Sequence, residues 1–193
     1  MSQLQSDLPV RDDTELMLAY AAGDTGAFEH LYHQYRSGLM RFFSSGTGDH
    51  AISLELYQDT WARVIRHRHS YAATARFSTW IYTIARNCLT DHHRKNARYQ
   101  HVEELSDDGP LPVENIELPL QPDEIAALTQ RAAVLQRALM LLPESQREAI
   151  LLRHIAGLTI ADIGVVLQEK PETIKSRLRY AVARLRKEMR VGE

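Results

Sequence analysis

The sequence predicts an all-α fold, two small helical domains joined by an acidic flexible linker, with the C-terminal one a four-helix helix-turn-helix domain. Three observations carry that prediction. Apolar residues recur at spacings of three and four along nearly the whole chain, which is the period of a helix with one buried face. The period vanishes across residues 101–125, where eight acidic side chains and four prolines stand without a single Lys or Arg. Near the end, Thr159–Leu167 has the length of a short helix, a tight turn follows, and Pro171 opens a longer basic helix. The expected boundaries are therefore 1–98 for the first domain, 99–124 for the linker and 125–193 for the second domain.

From the N-terminus, Asp13 or Thr14 can cap a first helix running through Ala22, and Gly23-Asp24-Thr25 closes it and starts the next. Phe28, Leu31, Tyr32, Tyr35, Leu39 and Phe42 form the stripe of that second helix, which should reach about Phe43. After a loop at Gly46-Thr47-Gly48-Asp49, a third helix has Leu54, Tyr57, Trp61, Val64 and Ile65 on its inner face. Its outer face shows Glu55, Gln58, Asp59 and Ala62. A polar stretch from His67 to Ala75 precedes a fourth helix capped by Ser78, with Phe77, Ile81, Ile84 and Cys88 inward. That helix ends in the basic, polar run Asp91–Arg98.

Beyond the acidic stretch, Leu128, Leu135, Ala138, Leu139 and Leu142 define helix five, which Pro143 ends. Ser145 with Glu148 has the spacing of a capping box for the next helix, which carries Ile150, Leu151, Leu152 and Ile155. Gly157 can terminate it, and Thr159 with Asp162 can cap the short helix that follows. In the last helix Ile174, Leu178, Ala181, Val182, Leu185 and Met189 make the core stripe. The opposite side presents Glu172, Ser176 and Arg179, flanked by Thr173, Lys175 and Tyr180. From Pro171 onward seven basic residues face three acidic ones, an excess that suits a phosphate backbone. Lys175, Ser176 and Arg179 carry donors for base edges. A solvated charged face would look the same by charge alone; the adjoining short helix turns the balance toward DNA.

Composition excludes several other classes. The 193 residues are 44% hydrophobic and 25% charged, ordinary for a globular chain, and the net charge of -2 gives no hint of a nucleic-acid partner. The single cysteine rules out an internal disulfide framework, the N-terminus lacks the blocks of a signal peptide, and no apolar run approaches a membrane span. The expected compartment is the cytoplasm, without membrane insertion. No catalytic residue, cofactor or metal is expected. His92-His93 and the pair His67 and His69 invite a metal reading, but adjacent histidines point to different helix faces and no carboxylate has ligand spacing. Cys88 has no His or Asn constellation and fits a small core residue.

Four stretches together resemble the extracytoplasmic-function sigma factors, the small two-domain type of bacterial sigma subunit. Ala27–Tyr35 resembles the family's first conserved helix, and Leu54-Glu55-Leu56-Tyr57-Gln58-Asp59-Thr60-Trp61 its polymerase-binding segment. Phe77–Asn87 resembles the promoter-melting and minus-ten segment. Leu139–Leu185, with Leu142-Pro143-Glu144 and Thr173-Ile174-Lys175-Ser176-Arg177-Leu178, resembles the minus-thirty-five domain. Each motif alone is weak; the four in order are specific.

The resemblance implies jobs for the outward residues. Glu55, Gln58 and Asp59, with a half-exposed Leu56, would dock on a helical coiled coil of the largest catalytic subunit of core RNA polymerase. Arg86, Asn87, Asp91 and Lys95 would track the promoter strand near the minus-ten element, and the loop from Ser70 to Ala75 would capture a flipped base. Phe77 and Trp80 fit core aromatics better than stacking platforms. Thr173, Lys175, Ser176, Arg179 and Tyr180 would meet the upstream promoter DNA. An anti-sigma factor clamped around both domains is a further implied partner. Gln168 stands where the family often has Gly, Lys170 replaces a Ser-like cap, and Tyr180 replaces a basic residue, so the turn and the upstream specificity are not simply inherited. Two other classes remain open: a stand-alone helix-turn-helix regulator, and a sigma mimic that only titrates an anti-sigma factor.

Overall fold

The computed structural model describes residues 12–99 and 122–191, which form eight α-helices and one 3-10 turn. Most of the stretch expected to be a linker, residues 100–121, lies outside the described residues. Helix α1 (Asp13–Ala21) starts at Asp12, whose carboxylate accepts from the Glu15 N–H while Glu15 accepts from the Asp12 N–H. The cap thus sits earlier than the sequence suggested. Asp13 instead accepts from the Tyr35 hydroxyl and from Gln34 Nε2, tying α1 to α2.

Helix α2 (Thr25–Thr47) runs past the expected end at Phe43 because Gly46 serves packing rather than a loop. A methyl group at Gly46 would lie 2.8 Å from Leu89 Cδ2, so the glycine lets α2 lie close against α4. Gly48, left-handed at φ 75, ends the helix, and Asp49 caps α3 (His50–His67) by accepting from the Ile52 N–H. A 3-10 turn at Arg68–Ser70 leads toward α4 (Phe77–Tyr99), which begins before Ser78, so that residue does not cap it.

Helix α3 is rotated relative to the sequence expectation. Its buried stripe is Ser53, Leu56, Tyr57, Thr60, Trp61 and Val64, while Leu54 (43% exposed) and Ile65 (41%) face outward. Ser53 and Thr60 are polar, so a hydrophobic count passes over them. Each hydroxyl is satisfied inside the helix, Ser53 by the Asp49 carbonyl and Thr60 by the Leu56 carbonyl, so burial costs little.

The second block comprises α5 (Pro122–Met140), α6 (Glu144–His154), α7 (Ile160–Leu167) and α8 (Pro171–Val191). Leu135 is exposed at 40% although its spacing placed it in the stripe, whereas Ala138, Leu139 and Leu142 are buried. The Ser145–Glu148 capping box does not form: Pro143 occupies the cap without a side-chain bond, and Glu148 is buried elsewhere. Thr159 and Asp162 do form their box, and Pro171 is the first residue of α8.

Phe42, Phe43 and Phe77 are fully buried in the first block, each contributing roughly 2 kcal/mol of transfer free energy. Leu152, Ile163 and Ile174 fill the second. The blocks pack on each other: α4 lies on α7, α2 lies on α5 and α6, and one apolar cluster runs through both.

Candidate nucleic-acid interface

The turn between α7 and α8 places the basic helix. Gln168 takes the left-handed conformation itself, at φ 54, where a glycine would meet no Cβ penalty. The Glu169 N–H then donates back to the Gly164 carbonyl at 2.9 Å, and a methyl group at Gly164 would lie 2.8 Å from the Glu169 carbonyl oxygen. Gly164 is therefore the close-approach glycine of the pair. The Lys170 carbonyl accepts from Ile174, so a missing hydroxyl cap does not prevent the helix from starting.

On α8, Lys175, Arg179 and Tyr180 are exposed, and Thr173 and Ser176 are half-buried beside them. Lys175 pairs with Glu172 at 2.8 Å, an exposed bond of little strength that a phosphate can replace. The Arg179 guanidinium stands 5.1 Å from the Tyr180 ring centroid, so the tyrosine orients it. Arg177 turns away and grips Glu169 at 2.5 Å, bracing the turn. One face of one helix thus carries all five candidate residues.

Helix α4 divides its four candidates. Asn87 and Lys95 are exposed. Asp91 is half-buried between Arg63 at 3.5 Å and Arg94 at 3.0 Å, and Arg63 also holds Asp59 at 2.9 Å. Burial opposes the Arg63 charge, yet the hydrogen bond to Asp59 and the nearby Cys88 and Asp91 hold its pKa above the ordinary value. Arg86 points a different way: its Nε donates to Glu148 Oε1 of α6 at 2.9 Å. Beneath the helix, burial pushes the Cys88 thiol up to about 11, fitting an inert core residue.

In the loop before α4, residues 72–76 are exposed while Tyr71 is buried, its hydroxyl donating to the Ala75 carbonyl at 3.1 Å. Tyr71 packs on Trp80 at 5.1 Å between centroids and on Phe77 at 6.1 Å. Phe77 is a core residue and Trp80 is half-buried at the base of this loop, as expected. On α3, Glu55 and Gln58 are exposed and Asp59 half-buried. Leu56 is not half-exposed; at 7% it belongs to the core, and Leu54 is the apolar side chain presented next to Glu55.

The sequence relatives decide the family. SigL of Mycobacterium tuberculosis, an ECF RNA polymerase sigma factor, is 32% identical over 167 residues, covering 86% of this chain and 90% of the relative. The chain belongs to the ECF sigma factors. SigM of the same species is 32% identical over 177 residues, 91% of this chain and 83% of its own. The family model Sigma-70 region 2 matches residues 31–99, and Sigma-70, region 4 matches residues 132–185. Among solved structures, the sigma factor RpoE in complex with the anti-sigma factor NepR from Bartonella quintana aligns with a TM-score of 0.69 at 25% identity, covering 86% of this chain and 98% of that one. CnrH, solved with the cytosolic domain of CnrY, shares the fold at TM-score 0.70 and 19% identity, over 94% and 99% of the two chains. This sigma factor therefore serves transcription initiation, and among its described residues no helix is long and apolar enough to cross a membrane.

From one face of this sigma factor sequence reasoning named only Arg86. Thr79, Thr83, Arg86, Thr90 and His93 recur at four, three, four and three, so they share a side of α4, and all are buried or half-buried. Thr79 donates to Asp162 Oδ1 at 3.2 Å and Thr90 to Glu148 Oε1 at 3.4 Å. The periodicity was available in the sequence as a polar stripe, but polar stripes are ordinarily assigned to solvent.

Proposed function

We propose that this sigma factor recruits core RNA polymerase through the outer face of α3 and reads promoter DNA with α4 and α8. Glu55, Gln58 and Asp59 supply charge and hydrogen bonding to polymerase, and Leu54 supplies the apolar anchor first assigned to Leu56. Asn87, Lys95 and Arg86 contact the minus-ten strand, with Asp91 setting the position of Arg63 and Arg94. Lys175, Ser176, Arg179, Tyr180 and Thr173 meet the minus-thirty-five duplex. Residues 1–98 and 125–193 act as the two functional halves, tethered by 99–124. The protein works in the cytoplasm, catalyses no reaction itself, and is held by an anti-sigma factor, as its relative RpoE is bound by NepR.

The observation that carries this reading is the α8 face: three exposed side chains with hydrogen-bond donors or a π face stand beside a turn that fixes the helix against α7. Run-off transcription with core polymerase tests it. The double variant Lys175→Ala, Arg179→Ala should lower promoter-dependent transcription about tenfold or more, with core binding unchanged, since each base contact is worth about 1–3 kcal/mol. Wild-type transcription from that variant would remove α8 as the reading helix. Separately, Glu55→Lys should weaken co-purification with core polymerase while leaving the fold intact.

A further inference from the structure

We propose that the Tyr71 hydroxyl is a positioning group for promoter reading: it pins residues 72–75 into a fixed ring, and that shape lets the loop admit one unpaired base and refuse others. This role depends on the reading that the loop receives a base of the minus-ten strand, and it names the residue that gives the loop its form. Tyr71 itself does not touch the DNA.

The loop is held from within. Tyr71 is 7% exposed and its ring packs on Trp80 and Phe77, so the side chain cannot follow a moving loop. From that fixed ring the hydroxyl donates to the Ala75 carbonyl at 3.1 Å, four residues on, and closes the chain between them. Both flanks are tied as well. Ser70 donates to the His67 carbonyl at 2.8 Å at the end of the 3-10 turn, and the Trp80 N–H donates to the Arg76 carbonyl at 3.2 Å at the start of α4. Helix α1 packs on the 3-10 turn and reaches the same hydroxyl: burial raises the Tyr71 pKa, a hydrogen bond with Thr14 lowers it, and Asp12 and Asp13 raise it.

What the ring presents suits a base. Ala72, Ala73 and Ala75 are exposed and small, so the loop's backbone N–H and C=O groups are within reach of a base edge. Half-buried Trp80 lies against Tyr71 at the foot of the loop as an aromatic surface for stacking, and exposed Arg76 carries a charge for the adjoining phosphate. An unpinned loop of this composition would adapt to any base, because alanine imposes no shape of its own. Pinning removes that freedom before binding, so a poorly fitting base meets a wall that does not yield. The bond does little for the fold, since Ala75 is exposed and water can replace the hydroxyl there. Its effect falls on selectivity.

Holoenzyme assembled from core polymerase and the full chain tests this on fork-junction DNA from a promoter identified by run-off transcription, the single-stranded overhang carrying each of the four bases at one position at a time. Wild-type holoenzyme should prefer one base about tenfold at one overhang position. Ala73→Trp, which crowds the exposed turn, should abolish that preference. Tyr71→Phe keeps the ring and loses the hydroxyl; it should cut the preference at that position about fivefold, the scale of one hydrogen bond, with selectivity elsewhere, core affinity and Tm unchanged. Tyr71→Ala should lose the preference and also about 10 °C of Tm, so the phenylalanine variant recovers stability without recovering selectivity. A Tyr71→Phe holoenzyme as selective as wild type overturns the positioning role while the loop reading stands. So does an equal loss at every position, which would mark a general weakening. A wild-type preference that survives Ala73→Trp, or no preference at any position, overturns the loop reading and the role of Tyr71 with it.

Discussion

Helices α4 and α8 carry the two sets of promoter candidates, and they differ in what surrounds them. Helix α8 has one buried stripe and one open face, with Lys175, Arg179 and Tyr180 exposed. Helix α4 has two occupied sides: Phe77, Ile81 and Cys88 in the core of its own block, and Thr79, Arg86 and Thr90 against the other block. Asn87 is exposed between those two sides, and Arg94, Lys95 and Asn96 are exposed near the end of the helix. The two helices thus differ in how much of their polar surface the rest of the fold leaves open. The lesson is that an outward polar face is defined relative to one domain, and a second domain can claim it.

The sharpest way to break the contrast is to dislodge α8 alone. Gly164→Val would push a side chain into the Glu169 carbonyl, which a methyl group already approaches to 2.8 Å. Because the obstacle is backbone, the turn must shift, at a cost of about 2–3 kcal/mol to the second block. We expect lost upstream-duplex binding in footprints of the holoenzyme, with co-purification of core polymerase retained. Retained footprints would mean that α7 does not fix the reading helix.

A smaller change should move the same turn in the favourable direction. Gln168 is the only described non-glycine residue at positive φ, and Gln168→Gly removes that strain. The expected gain is about 0.5–1 kcal/mol after the extra backbone entropy of glycine is deducted. For a chain of this size that is a Tm increase of about 2 °C, measured by thermal unfolding. An unchanged or lower Tm would show that Gln168 makes a compensating contact.

These two predictions concern a unit that was largely legible in the sequence. The Thr159–Asp162 box, the Gly157 terminator and Pro171 at the first helical position act over three or four residues, so a local pattern suffices to find them. The α3 phase failed for a local reason too, because Ser53 and Thr60 are polar by type yet satisfied by their own helix backbone. Leu56 and Leu54 exchanged places as a result. The fate of Glu148 was beyond local reach. Its partner Arg86 lies 62 residues away, and Ser145-x-x-Glu148 has the spacing of a cap that the structure does not form. Only three-dimensional packing brings Glu148 of α6 to Arg86 of α4.

The smallest expected effect acts on the α4 side alone and comes from His93. Burial lowers its pKa, Arg147 lowers it further, Glu144 opposes, and His92 adds a small lowering. The folded chain therefore prefers the neutral ring, whereas the unfolded chain returns it to an ordinary histidine near 6.5. A depressed histidine pKa leaves the folded state fully favoured above the ordinary value and progressively less so as pH falls through it toward the lowered one. Asp162 does not confuse the window. Burial would raise its pKa, but bonds from Thr159 and Thr79, with Arg76 nearby, hold it below the carboxylate range, so it stays ionised. The ring is only half-buried and solvent screens it, so the Tm should be only about 1 °C lower at pH 5.5 than at pH 7.5 on its account. His93→Gln should flatten that dependence while leaving α8 binding to the upstream duplex unaltered. A pH response that survives His93→Gln would assign the titration to another group, and none at all would mean that the ring is equally solvated in the folded and unfolded chains.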